Sequence, residues 1–265
     1  SGNTLTLVRN SKLIIKGDLI NNGVIMDFNT SSTGITGTLD TTNGFIFSNF
    51  ENAINVDTDF TLDGDFTLND GKTLTIASGK TLTIASGKTL TNDGTILDYN
   101  HANGNGITGN LITTNGFIFS NFYGDTINVN EDVTLSSNFT LNDGITLNIA
   151  SGKTLTIAMD LTNNGVIVDF NTTNNGIIIN GGNLSTGMIF SNFFGDTINV
   201  NKNVTISGNF ILNVGKTLTI ESGKTLTIVT GRTLTNNGVI IDQNTSEGTV
   251  AEPEPEPGQE PEPGQ

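Results

Sequence analysis

The sequence predicts an all-β protein: a single-stranded parallel β-helix (β-solenoid), right-handed and three-sided, with about 24 residues per coil and about ten coils. Three observations carry this expectation. The chain copies itself over a long period: GFIFSNF at Gly44 to Phe50 returns at Gly116 to Phe122 and as GMIFSNF at Gly187 to Phe193. A second phrase (NNGVIMDFN, NDGTILDYN, NNGVIVDFN, NNGVIIDQN) keeps the same beat, its glycines Gly23, Gly94, Gly165 and Gly238 lying 71, 71 and 73 residues apart. Within the long period runs a unit of eight, GKTLTIAS, starting at Gly71 and Gly79 and returning in variants at Gly87, Gly152, Gly215, Gly223 and Gly231.

Each unit of eight reads as a strand, KTLTI, and a three-residue corner. Leu and Ile alternate with Thr along the strand, the period-two pattern of a half-buried strand. Leu74 and Ile76 are therefore assigned to the core and Thr73 and Thr75 to the outside. Nine such units make about 72 residues, so each long repeat counts as three coils of three strands. Strands stacked about 4.8 Å apart would make a rod roughly 48 Å long from ten coils. GFIFSNF places Phe45 and Phe47 on one face and Ile46 on the other. A core stack of Phe47, Phe119 and Phe190 is the economical reading; an apolar strip for lateral association is the other, since both faces of the strand are hydrophobic. Residues 1–245 are thus one elongated solenoid of three long repeats and a partial fourth. Residues 246–265, alternating Glu and Pro, form an acidic tail expected to be extended polyproline II. The chain starts at Ser1 without an apolar leader, as a processed product would.

Eleven basic residues face 26 acidic ones, a net charge of −15. That balance disfavours nucleic acid and anionic membrane as partners. No apolar run is long enough to cross a bilayer, and the absence of cysteine rules out disulfides and thiolate metal sites. A hydrophobic content of 34% is low for a globule but sufficient for a narrow solenoid core fed by alternate residues.

Few residues offer chemistry. His101 is the single histidine and lacks the neighbours that a triad or a histidine metal site requires. Asp27, Asp98, Asp169 and Asp242 recur at one repeat position, about 14 Å apart if stacked, too far for a two-carboxylate glycosidase. Asp57, Asp59, Asp63 and Asp65 crowd one stretch of the first repeat and are the candidate site for Ca²⁺; no other cofactor is expected. The lysines of the short repeat form no acid/base constellation, so no enzyme is expected. Thr-x-Thr pairs do not recur on one face as ice binding would need, since 24 residues beyond Thr73 and Thr75 stand Leu97 and Tyr99. The sequons at Asn29, Asn171 and Asn244 share one repeat position and are candidate glycosylation sites.

The SGKTLTI and NNGVI phrases resemble those of repetitive microbial extracellular adhesin-like and surface proteins with a parallel β-helix. The resemblance covers nearly the whole chain to about residue 245 and implies a place outside the cell. The expected function is an extracellular structural protein, a subunit of a surface filament or layer whose main partner is another copy of itself, joined head-to-tail through the solenoid ends. An adhesin stalk or passive rod that binds surface glycans or protein is the alternative, and a viral fibre or tailspike-like polysaccharide-active β-helix the third.

Overall fold

The computed structural model describes residues 3–29, 34–40, 42–102, 106–185 and 187–244. The acidic tail, with Ser246 of the Asn244 sequon, lies outside the described residues. Thirty-one short strands and no helix make up the described chain, and every strand pairing is parallel. The fold is a β-solenoid of about 10 turns. In its best-formed stretch one face stacks Ala53–Val56, Thr73–Ile76, Thr95–Asp98 and Phe117–Phe119. The second face stacks Phe60–Leu62, Thr81–Ile84 and Gly106–Thr108, and the third Phe66–Leu68, Leu90–Asn92 and Leu111–Thr113.

The coil is shorter than the expected 24 residues. Thr73 pairs with Thr95 and Thr95 with Phe117, a step of 22, while Ala53 pairs with Thr73, a step of 20. Corner chemistry explains the difference. The unit of eight holds where Gly79 turns the chain at φ +77°. The corner after Leu90–Asn92 is only two residues, Asp93 and Gly94, and is closed by the Asn92 side chain, whose Oδ1 accepts from the Gly94 N–H at 3.1 Å. A side chain at Gly94 would sit 2.4 Å from the Lys72 carbonyl oxygen, so only glycine permits this approach. Asn21 and Asn236 close the same corner in their repeats.

Other corners carry an Asp or Asn that accepts from a backbone N–H of the next coil. Asp59 receives Thr81, Asp65 receives Thr89, Asp132 receives Thr154 and Asn203 receives Thr225, each at 2.9 to 3.0 Å. These contacts staple successive coils where the ladder is interrupted, and they account for much of the Asx content of the corners.

The solenoid is not one uninterrupted column. Its sheets fall into four blocks, and none continues from one block to the next. The breaks come after Phe45–Phe47, Phe117–Phe119 and Met188–Phe190, the three copies of the FIF strand. Leu74, Ile76 and the other inward residues of the second block form its core, fully shielded from water. The outward residues of Thr95–Asp98 and Phe117–Phe119, and Tyr99 just beyond the first of them, do not face solvent: Leu97, Tyr99, Phe117 and Phe119 belong to the core of the third block. Ile96, between them, points back into the second. The same alternation recurs at the other breaks. Ile25 and Ile46 stay in the first core while Met26 and Phe47 enter the second. Ile167 stays in the third while Val166, Val168, Met188 and Phe190 enter the fourth. Each block is thus seated on the outer surface of the closing strands of the one before.

Phe47, Phe119 and Phe190 are buried, yet they make no common stack. Each lies in a different core, edge-on to a phenylalanine of the following block: Phe47 to Phe66 at 4.7 Å, Phe119 to Phe139 at 4.7 Å and Phe190 to Phe210 at 4.6 Å between ring centroids.

Candidate functional site

The breaks between blocks concentrate the buried polar groups of the molecule, and each is built from two repeat phrases. From VI-D-x-N, Asp98 points inward at the end of its strand. Its Oδ2 accepts from Ser120 Oγ at 2.9 Å, and its Oδ1 accepts from the backbone N–H of Asn100 at 3.1 Å and from Asn100 Nδ2 at 2.7 Å. Asn100 in turn accepts from the Gly79 N–H at 2.7 Å and donates to the Lys80 carbonyl at 3.0 Å. Burial pushes the Asp98 carboxyl above the ordinary carboxylate range, and the hydrogen bonds from Asn100 and Ser120 offset only part of that rise. Nearby Tyr123 is pushed up to about 12 by burial and by the Asp98 charge, so its phenol keeps its proton.

From F-S-N-F, Ser120 serves Asp98 and also accepts from the Phe122 N–H. Asn121 then spans the break. Its Nδ2 donates to the Asn100 carbonyl at 3.0 Å and to the Thr140 carbonyl at 2.8 Å, and its Oδ1 accepts from the Asn142 N–H at 2.9 Å. A side-chain amide here replaces the peptide group that a continuous ladder would supply. Asn49 bridges Thr67 and Asn69 in the same way, and Asn192 bridges Ile211 and Asn213. Asp27 with Ser48 and Asp169 with Ser191 repeat the buried acid–hydroxyl pair at 2.9 Å. Asn121→Ala, which removes all three bonds of a buried side chain, is expected to lower stability by about 2–3 kcal/mol, measured by urea denaturation.

An aromatic residue after the Asp fills each break. Tyr99 accepts through its hydroxyl from the Ser136 N–H at 3.0 Å. Phe28 and Phe170 lie instead against Gly64 and Gly208, where a Cβ would come within 2.5 and 3.0 Å of the ring. The third and fourth blocks are also strapped by Lys202, which reaches Asp143 at 2.5 Å and the Asn164 carbonyl.

These positions redefine the residues singled out in the sequence. Asp57, Asp59, Asp63 and Asp65 are all exposed, and two of them are occupied as the corner staples already described. Among the described residues no three acidic or histidine side chains converge in a group that could hold a metal ion. Asn29 and Asn171 are not surface sequons. Both are buried, with Nδ2 bound to Asp27 at 2.6 Å and to Asp169 at 2.8 Å, so a glycan on that nitrogen would have to break the joint. Asn244 is exposed but makes the same contact with Asp242 at 3.0 Å. His101 is exposed and contributes only its carbonyl, to Asn142 Nδ2. The Ser-Asn pair after FIF was the functional signal missed in the sequence. It recurs unchanged in all three copies, directly behind a strand that is apolar on both faces.

Fold and joints together define a β-solenoid repeat protein whose short blocks interlock through shared strands. Comparison with known proteins gave no match: no family model fits the chain, and neither a curated protein nor a solved structure is similar to it.

Proposed function

We propose that this protein is an extracellular structural subunit, without enzymatic activity, that joins head-to-tail with copies of itself through the two ends of its solenoid. The observation that carries this reading is the contrast between equivalent strands. In the third block Val166 and Val168 are 6% and 0% exposed, covered by the fourth block; in the last strand, Val239–Asp242, the equivalent Val239 and Ile241 are 55% and 45% exposed. That strand bonds to Thr217–Ile220 on one side, and no described strand pairs with its other edge. At the opposite end Thr4–Leu7 pairs with Val24–Asp27 and with no other described strand, and its Leu5 is 42% exposed. Open parallel edges with apolar side chains are templates for pairing with another chain. Laying Thr4–Leu7 of a second copy on Val239–Asp242 sets Leu5 over Ile240, continuing the inner core in register, with Thr4 and Thr6 beside Val239 and Ile241. Such a contact is heterologous and propagates as a filament.

The test uses the outer edge alone. The Asn3 and Leu7 carbonyls serve Val24 and Phe28, so the alternate Thr6 N–H points to the open side. Thr6→Pro therefore removes an edge donor without cutting the internal ladder. Light scattering over a concentration series and electron microscopy are expected to show rods several subunits long for the wild type and single subunits for Thr6→Pro, with matching circular dichroism. A wild-type chain that stays monomeric throughout would sink the proposal.

A further inference from the structure

The joints do not all close alike around their aromatic residue. Where the Tyr99 hydroxyl reaches Ser136, the aromatic is locked to the following block. At the last joint Phe170 has no hydroxyl, and a crevice of about 490 Å³ opens beside it, lined among others by Asn128, Asn148, Phe170, Ser207, Phe210 and Ile211. Asn148 departs from its own repeat here. The strand reads TLNI, whereas Thr75 and Thr219 occupy the position in TLTI. Its side chain is only 6% exposed. Nδ2 donates to Asn128 Oδ1 at 3.2 Å and to Ser207 Oγ at 3.1 Å, while Oδ1 is buried and finds no donor among the described residues.

We propose that this crevice binds one hexopyranose ring of a neutral glycan, with a ring hydroxyl donating to Asn148 Oδ1. A buried acceptor without a donor is rare in a folded protein and calls for an explanation; a hydroxyl entering from the crevice would supply one for Asn148. Among the described residues no Lys, Arg, Asp or Glu lines the crevice, so neither an anion nor a cation finds a counter-charge in them. Carbon surface from Phe170, Phe210 and Ile211 lies next to the polar atoms of Asn128, Asn148 and Ser207. A pyranose offers that combination, a C–H flank edged by hydroxyls, and concave sites of this kind pair an apolar wall with a few placed polar groups. The site lies at an internal joint and does not depend on end-to-end assembly.

The experiment is a ¹H–¹⁵N titration of the full chain with methyl glucoside, methyl galactoside and methyl mannoside, read at the side-chain amide of Asn148 and at Ser207 and Gly208. Two variants use residues that the repeat itself places at equivalent positions, and matching circular dichroism checks that both keep the fold. Asn148→Thr restores TLTI, and Phe170→Tyr supplies the hydroxyl found at Tyr99. Saturable shifts with at least one sugar are expected, weakened about tenfold or more in Asn148→Thr and lost in Phe170→Tyr. The proposal is overturned if no sugar gives saturable shifts, or if both variants bind like the wild type. It is equally overturned if triglycine titrates these resonances and the sugars do not.

Discussion

Phe119→Ala is expected to lower stability by about 3–5 kcal/mol and to split one unfolding transition into two. The ring is fully buried, carried by the last strand of the second block but embedded in the core of the third. Truncation leaves a cavity where Phe119 meets Phe139 edge-on and also packs near Phe117. In a stacked repeat protein the total stability is a sum of the intrinsic stabilities of the units and of the terms between neighbours. A residue that acts only across a joint weakens the second kind, and cooperativity between blocks falls with it. The chain carries its own reporter, because its two tyrosines, Tyr99 and Tyr123, both flank this joint. In urea, tyrosine fluorescence follows the joint while far-ultraviolet circular dichroism follows every strand. The two curves are expected to coincide for the wild type and to separate for Phe119→Ala. A variant whose curves still coincide would mean that the joint is not a separate energetic unit.

Much of the fold was legible in the chain, and the part that was not has a physical cause. Leu74 and Ile76 could be placed inside because strict alternation with Thr fixes which side chains share a face. The same rule put Phe45 and Phe47 opposite Ile46, which is what the structure shows. Alternation does not say what lies beyond a face, so a strand apolar on both sides was compatible with a column as well as with a shared wall. The shared wall follows from long-range packing between residues such as Tyr99 and Ser136, 37 positions apart. Coil length failed for a similar reason. Counting eights assumes uniform corners, whereas Asp93 and Gly94 turn the chain in two residues because Asn92 supplies the closing acceptor. Side chains that replace backbone partners, as Asn121 does, carry no periodic signature; only the invariance of Ser-Asn behind FIF pointed to them. The Asp cluster of the first repeat invited a metal reading because composition alone does not show that Asp59 and Asp65 are staples to the next coil.

The buried acid at the same joint makes the second large effect. Asp98→Ala would leave Ser120 Oγ, Asn100 Nδ2 and the Asn100 N–H without the acceptor they now share, at a cost of about 3 kcal/mol. Asp98→Asn is milder, since its amide oxygen keeps one acceptor, and it isolates the charge. Burial holds the folded-state pKa of Asp98 above its ordinary value of 3.8. A carboxyl raised in this way binds its proton more tightly folded than unfolded. Its contribution is therefore fully present below 3.8 and is lost as pH rises through the folded value. The joint should accordingly tighten on mild acidification, against the usual acid sensitivity of carboxylates that are stabilised by pairing. The protein has 26 acidic residues, so acid also relieves general repulsion, and the wild type alone cannot separate the two effects. The comparison with Asp98→Asn can. As pH falls from neutral to about 4, the wild type is expected to gain stability relative to that variant in urea denaturation. Parallel pH profiles for the two proteins would show that the carboxyl at the joint titrates as it does in the unfolded chain, and the claim that burial governs it would fail.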